Sequence, residues 1–257
     1  MKKSVRMLLI QGVAAIAMLA TAALAGAATT KTADQSLSTL LSGNSPYIVG
    51  NFAALSKNAQ PGIRTTLAAG QSPYAIVLGC SDSRVAPEII FDKGLGEVFP
   101  IRVAGNIIAD HEIGSIEYAV EHLCAPLIVI MGHSKCGAVT TAVDVKLGAI
   151  KLSDLSPAIQ SLVNTLMPAV DNAYAVVKQL LGETAEDYRA RLIQASIEEN
   201  VRYTAADLVA QSLIVREAVE TGMPLDACPL QKGAKARLVG AIYDVTTGKV
   251  KLLPLAP

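Results

Sequence analysis

Two short apolar runs stand out because they neither alternate nor repeat at helical spacing. Tyr74-Ala75-Ile76-Val77-Leu78-Gly79 and Leu127-Ile128-Val129-Ile130-Met131 are continuous, as in strands buried on both faces. Val98-Phe99-Pro100-Ile101-Arg102-Val103 predicts a further strand. Its Pro100 cannot donate to a ladder, which points to a sheet edge. Arg237 to Tyr243 predicts a strand, Asp244-Val245-Thr246-Thr247-Gly248 a turn, and Lys249 to Leu253 a short return strand. Elsewhere apolar residues recur at three and four. Leu37, Leu40 and Leu41, then Ile63, Leu67 and Ala68, make residues 35–70 helical, with a break at Gly43-Asn44-Ser45-Pro46. Ile116, Ala119, Val120 and Leu123 share one face of a helix from Ser115 to Leu123. Residues 155–220 read as almost wholly helical, with breaks near Pro168 and at Gly182-Glu183. Strand–helix–strand order predicts an α/β fold, a mostly parallel β-sheet flanked by helices, with an N-terminal helical arm and a C-terminal helical segment.

The first residues are read separately. Met1 to Arg6 is basic, Met7 to Leu24 is apolar and uncharged, and Ala25-Gly26-Ala27 supplies small residues for cleavage. This predicts a secretory signal peptide over residues 1–27 and a single domain over 28–257. The apolar run is also long enough for an uncleaved anchor. The small-residue site and the polar Thr29-Thr30-Lys31-Thr32 favour cleavage, after Ala27 or two residues earlier. The expected product is periplasmic or otherwise exported and free of the membrane. Lys+Arg and Asp+Glu are balanced at 22 each, with no basic stripe, which excludes nucleic acid as an expected partner. A hydrophobic fraction of 51% predicts extra apolar surface for an oligomer.

The candidate chemistry sits where the two continuous runs end. Cys80-Ser81-Asp82-Ser83-Arg84 follows the first, and Gly132-His133-Ser134-Lys135-Cys136-Gly137 follows the second. Both segments therefore fall at carboxyl ends of strands, where open α/β sheets place their ligands. Cys80, His133 and Cys136 offer two thiols and one imidazole. That is the donor count of a catalytic zinc site with its fourth position open. Mixed sulfur and nitrogen donors suit zinc better than iron. A lone His is ordinarily structural and a lone Cys a small buried hydrophobe, but their meeting at two strand ends outweighs that reading. Asp82 has two roles open to it: a fourth ligand closing the site, or a carboxylate drawn aside by Arg84, whose planar fork grips two oxygens. Cys124 and Cys228 do not sit in segments dense with potential ligands and glycines, as Cys80 and Cys136 do. They read as buried thiols or as a disulfide, with a slight lean to free thiols.

The paired motifs resemble those of the β-class carbonic anhydrases. The family's Cys-x-Asp-x-Arg occurs as Cys80, Asp82 and Arg84, its His-x-x-Cys as His133 and Cys136, and Arg102-Val103-Ala104-Gly105-Asn106 also matches. The likeness spans roughly residues 35–145 and the strand near Gly240-Ala241-Ile242-Tyr243-Asp244. It implies one Zn2+ per chain and reversible hydration of CO2 to bicarbonate and a proton by a zinc-bound hydroxide, with Asp82 and Arg84 as the catalytic pair. It implies a homodimer or a tetramer of paired dimers, with N-terminal helices wrapping the neighbour. It further implies that Gln71 donates to a CO2 or bicarbonate oxygen. Phe99 and Tyr118 would line a narrow pocket, partly across the dimer interface, and the Gly137 backbone would lie beside the metal. From the residues alone, Gln71 is a polar loop residue, and Phe99 and Tyr118 are core. His111 and His122, the remaining histidines, are candidate proton shuttles. Two other functions fit the same ligands: hydrolysis of carbonyl sulfide or carbon disulfide, and non-catalytic zinc binding. The presence of Asp82 and Arg84 counts against the second.

Overall fold

The computed structural model describes residues 28–58, 60–223, 228, 231 and 233–255. The predicted signal peptide, residues 1–27, lies outside the described residues. Five strands form one sheet in the order β2-β1-β3-β4-β5: β1 Ala75–Gly79, β2 Val98–Arg102, β3 Leu127–His133, β4 Arg237–Tyr243 and β5 Val250–Leu253. The first four are parallel, and β5 returns antiparallel to β4. β1 and β3 are buried along their whole length, which is why their sequences are continuous rather than alternating. β2 is an edge strand, and Pro100 sits in it exposed. A residue without an N–H breaks only one ladder there.

Alternate strand residues feed two apolar layers. Val77, Val129 and Met131 pack with α1 (Ala33–Ser42), α7 (Gly137–Lys146) and α8 (Pro157–Val176) through Leu40, Val143 and Leu166. Four short helices follow α1 in chain order: α2 Asn44–Ile48, α3 Ala54–Lys57, α4 Pro61–Leu67 and α5 Pro87–Ile90. On the other face Ile76, Leu78, Ile128 and Ile130 pack with α6 (Asp110–Glu121) and α10 (Leu213–Glu220) through Ile116, Val120 and Val215. The long helix α9 (Ala185–Gln211) serves both layers, with Leu192 and Ile197 in the first and Val201, Ala205 and Leu208 in the second. It approaches closely because the strands carry glycine beneath it. A Cβ on Gly132 would lie 2.8 Å from a Val201 methyl, and one on Gly240 would lie 3.0 Å from the other.

Four sequence expectations change. Asn44 does not simply interrupt the arm but begins α2. Its buried amide donates to the Ile90 and Gly248 carbonyls at 3.1 and 2.8 Å and accepts from Val250 N–H at 3.0 Å. Pro168 does not break the chain, and α8 runs through it. The lost backbone bond is outweighed by burial of Leu166, Ala169, Val170 and Ala173 on the face that meets α9. α6 starts at Asp110 rather than Ser115, because the Glu112 carboxylate accepts from Ala109 N–H at 3.0 Å and caps a polar first turn. Finally, Cys124 and Cys228 form a disulfide, Cα to Cα 5.5 Å, across a separation of 104 residues. The lean to free thiols was wrong because only the fold brings these two together, beneath the second apolar layer. Gln231 supports the bridge. Its buried amide donates to the carbonyls of Cys124 and Thr29, both at 3.1 Å, which ties the start of the described chain to the disulfide turn. Among the described residues no helix is long and apolar enough to cross a membrane.

Candidate metal centre

β1 delivers Cys80 immediately after its last residue, and β3 ends on His133 itself. Ser134 and Lys135 then turn the chain, Lys135 with a φ of 60°, so that Cys136 becomes the N-cap of α7. One ligand atom from each of Cys80, His133 and Cys136 lies within 4.8 Å of the others, and all three residues are buried. Among the described residues this is the one such group of potential metal ligands.

The donors are prepared for a cation. His133 Nδ1 lies 3.0 Å from the Ser134 carbonyl. It can only donate there, which leaves the lone pair on Nε2. Nε2 is buried and has no hydrogen-bond partner. A buried acceptor without a partner is costly, and beside two free buried thiols a metal ion is the group that satisfies it. Zinc fits this donor set, with three protein ligands and room for a fourth. The accepting carbonyl is itself held: Ser134 N–H donates to Tyr243 O at 2.9 Å, and Ser134 Oγ accepts from Val245 N–H at 3.0 Å. The Cys136 thiol donates to Cys80 and holds Cys80 far below the ordinary thiol range, with the Gly105 N–H at 3.3 Å acting in the same direction. The same bond and burial push Cys136 up, against the N–H groups of Val139 and Ala138 at the start of α7. A divalent cation held by these donors would let both sulfurs act as thiolates.

Asp82 is not among the assembled donors. Arg84 grips it with Nε to Oδ1 at 2.9 Å and Nη2 to Oδ2 at 2.6 Å, and the Arg84 backbone N–H adds a third bond at 3.0 Å. Those bonds from Arg84 hold the Asp82 carboxyl well below the usual carboxylate range. Arg84 also reaches the Lys135 carbonyl at 3.3 Å, linking the two motif loops. Of the two roles open to Asp82, the structure therefore adopts the one drawn aside.

Arg102 has a part that sequence reasoning missed. From the end of the edge strand its Nε donates to Cys80 O at 3.0 Å and its Nη2 to Asp82 O at 2.6 Å. One guanidinium thus pins the carbonyls on either side of Ser81. The only signal for it was its place in the Arg102 to Asn106 match.

The remaining predicted residues do not converge on the three donors within one chain. Gln71 is exposed and precedes β1, whereas Cys80 follows it. A five-residue strand spans about 17 Å. Phe99 and Tyr118 are not core as the residues alone suggested. Phe99 is half-buried, Tyr118 is 46% exposed, and their ring centroids are 6.4 Å apart. Phe99 packs on the second apolar layer, whereas Cys80 and Cys136 belong to the first. His122 stacks against Tyr118 at 5.1 Å, and neither it nor His111 joins the donors. Gly137 is exposed beside Cys136, and a Cβ there would meet nothing within 4 Å. Gly137 therefore leaves its own outer side open to solvent.

Comparison with known proteins agrees with this geometry. The carbonic anhydrase family model matches residues 75–250. Carbonic anhydrase 2 of Mycobacterium tuberculosis is 36% identical over 214 residues, covering 83% of this chain and 89% of that protein. A carbonic anhydrase of Mycolicibacterium smegmatis is 33% identical over the same shares. Among solved structures, a β-carbonic anhydrase of Aspergillus fumigatus superposes with a TM-score of 0.59 at 29% identity, over 77% of this chain and 83% of that one. With the family model matched over most of the described sheet, relatives along most of its length and a β-carbonic anhydrase fold, the chain belongs to the β-carbonic anhydrases, zinc-dependent lyases that hydrate CO2 reversibly to bicarbonate.

Proposed function

We propose that each active centre uses Cys80, His133 and Cys136 of one chain and Gln71, Phe99 and Tyr118 of a second copy, in an exported homodimer or tetramer. The observation that carries the assignment of ligands is the orphaned, buried Nε2 of His133 facing two free thiols. Zinc at these donors supplies the Lewis acidity that makes water a nucleophile near neutral pH. Asp82 accepts a hydrogen from the attacking oxygen and orients it toward the carbon of CO2. Arg84 keeps Asp82 in place by two parallel bonds and keeps it ionised. Gln71 donates to a CO2 oxygen, and the apolar faces of Phe99 and Tyr118 exclude bulk water. The open side at Gly137 is the way in, and bicarbonate and a proton leave by it.

Assembly is supported by exposed apolar side chains along the N-terminal arm and α5, namely Val49, Phe52 and Ile89. It is also supported by the separation of Gln71 from Cys80 within one chain. A β-carbonic anhydrase of Sordaria macrospora, 26% identical with a TM-score of 0.58 over 76% of this chain and 87% of that one, is tetrameric. Export is supported by the signal-peptide pattern of residues 1–27 and independently by the Cys124–Cys228 disulfide, a bond that persists in oxidising compartments.

Mixing subunits tests the shared centre. Gln71→Ala and Cys80→Ala chains, co-expressed, form mixed pairs in which one centre has intact donors and an intact Gln71. The expected CO2 hydration rate exceeds the average of the two parents. A rate equal to that average contradicts a centre built from two chains.

A further inference from the structure

Asn200 lies in the middle of α9, in a helical stretch whose sequence offers no chemistry. It is 2% exposed. Burying an amide among apolar side chains is unfavourable unless it is paired, so its partner is informative. Its Nδ2 donates to the Gly105 carbonyl at 2.7 Å. Gly105 in turn donates its N–H to the Cys80 sulfur at 3.3 Å. The glycine is left-handed, with φ of 77°, and any Cβ would crowd Leu166 at 3.1 Å and Ala138 at 3.3 Å. Glycine adopts this conformation at no steric cost but has the most freedom to lose, so its orientation is fixed by its partners. Here there are two polar anchors, the sulfur on its amide side and Asn200 on its carbonyl side.

We propose that Asn200 is a positioning residue for the metal centre: by gripping Gly105 it keeps the Gly105 N–H on the Cys80 thiolate, and so sets both the affinity for zinc and the electron donation of that sulfur. The proposal rests on the assignment of Cys80, His133 and Cys136 as the zinc ligands. An N–H on a thiolate withdraws charge from the sulfur and offsets part of the cost of burying it. Outer partners of this kind orient ligands and tune the metal. Asn200 reaches the ligand through backbone alone.

The test compares the full chain with Asn200→Asp, Asn200→Leu and Ser196→Ala. Asn200→Asp keeps the size but removes the donor. Asn200→Leu removes the polarity and keeps a helix former, so that at least one variant folds. Ser196 is fully buried on the same helix and its hydroxyl has no partner, which makes Ser196→Ala the control for a merely structural effect. Zinc affinity is read by competition with a chromophoric chelator, and sulfur donation by the thiolate-to-metal charge-transfer band of the Co2+-loaded chain. Zinc should bind roughly 10- to 100-fold more weakly to both Asn200 variants, and the cobalt band should move to longer wavelength. Ser196→Ala should change neither. Unchanged affinity with an unmoved band in either folded Asn200 variant overturns the proposal, as does an equal loss in Ser196→Ala. A wild-type chain with no thiolate–cobalt band at all would instead sink the ligand assignment.

Discussion

Replacing His133 with alanine should abolish stoichiometric zinc binding and, with it, CO2 hydration. The imidazole is the one nitrogen donor in the group, and its Nε2 is the buried atom left without a partner. Alanine leaves two buried sulfurs without a third ligand. A cation there would have to keep its remaining positions filled with water in a site lined by Cys80 and Cys136, themselves 5% and 1% exposed. The loss of affinity should exceed the roughly 100-fold that changes in outer partners cause. The fold should survive, because the only hydrogen bond the imidazole makes is the local one to the adjacent Ser134 carbonyl. Metal analysis of the purified variant, with chelator competition, gives the number. A second signature is thermal: wild-type chain gains stability as zinc is added, since the metal binds the folded state, and the variant gains none. Retention of one zinc per chain by His133→Ala would contradict the ligand assignment.

Asp82→Asn should separate binding from catalysis. It keeps zinc, because Asp82 is drawn aside to Arg84 and is not among the assembled donors. It should lose about 100- to 10,000-fold in rate, the range for a group that accepts a proton or hydrogen bond in the transition state. An amide presents an NH2 either to the Arg84 guanidinium or to the attacking oxygen, and both positions require an acceptor. Arg84→Lys should fall between wild type and Asp82→Asn, since a point charge cannot make both parallel bonds. The bonds from Arg84 hold the Asp82 carboxyl below its ordinary value. A depressed carboxyl contributes stability above its unfolded pKa, and that contribution is lost only as pH falls through the folded value. Any rise in rate between about pH 6 and 9 therefore has another source. Wild-type rates in Asp82→Asn would remove Asp82 from the reaction.

The centre was legible because each ligand-bearing segment directly follows a continuous apolar run. Burial on both faces makes β1 and β3 recognisable without periodicity, and parallel strands of one sheet put Cys80 and His133 at the same end. Edge placement of Pro100 followed from its missing N–H. What stayed hidden depends on contacts between distant residues. Asn200 meets Gly105 across 95 positions, and Cys124 meets Cys228 across 104. Neither carries a local pattern, because a buried amide on a helix and a lone thiol in a turn look like ordinary packing. Pro168 misled because the propensity penalty is local while the compensating burial against α9 is tertiary. Phe99 and Tyr118 misled for a related reason. An apolar or aromatic residue in a periodic segment is expected inside, yet a folded chain leaves many such side chains at its surface, as it does Tyr118.

The most direct test is the initial rate of CO2 hydration by the wild-type chain, followed by stopped flow in three states: zinc-loaded, stripped by chelation, and reloaded. A fast rate should disappear on stripping and return with one equivalent of zinc per chain. A rate that persists in the stripped, zinc-free protein, or a folded, fully loaded chain with no rate above buffer, would contradict zinc-dependent hydration at this centre.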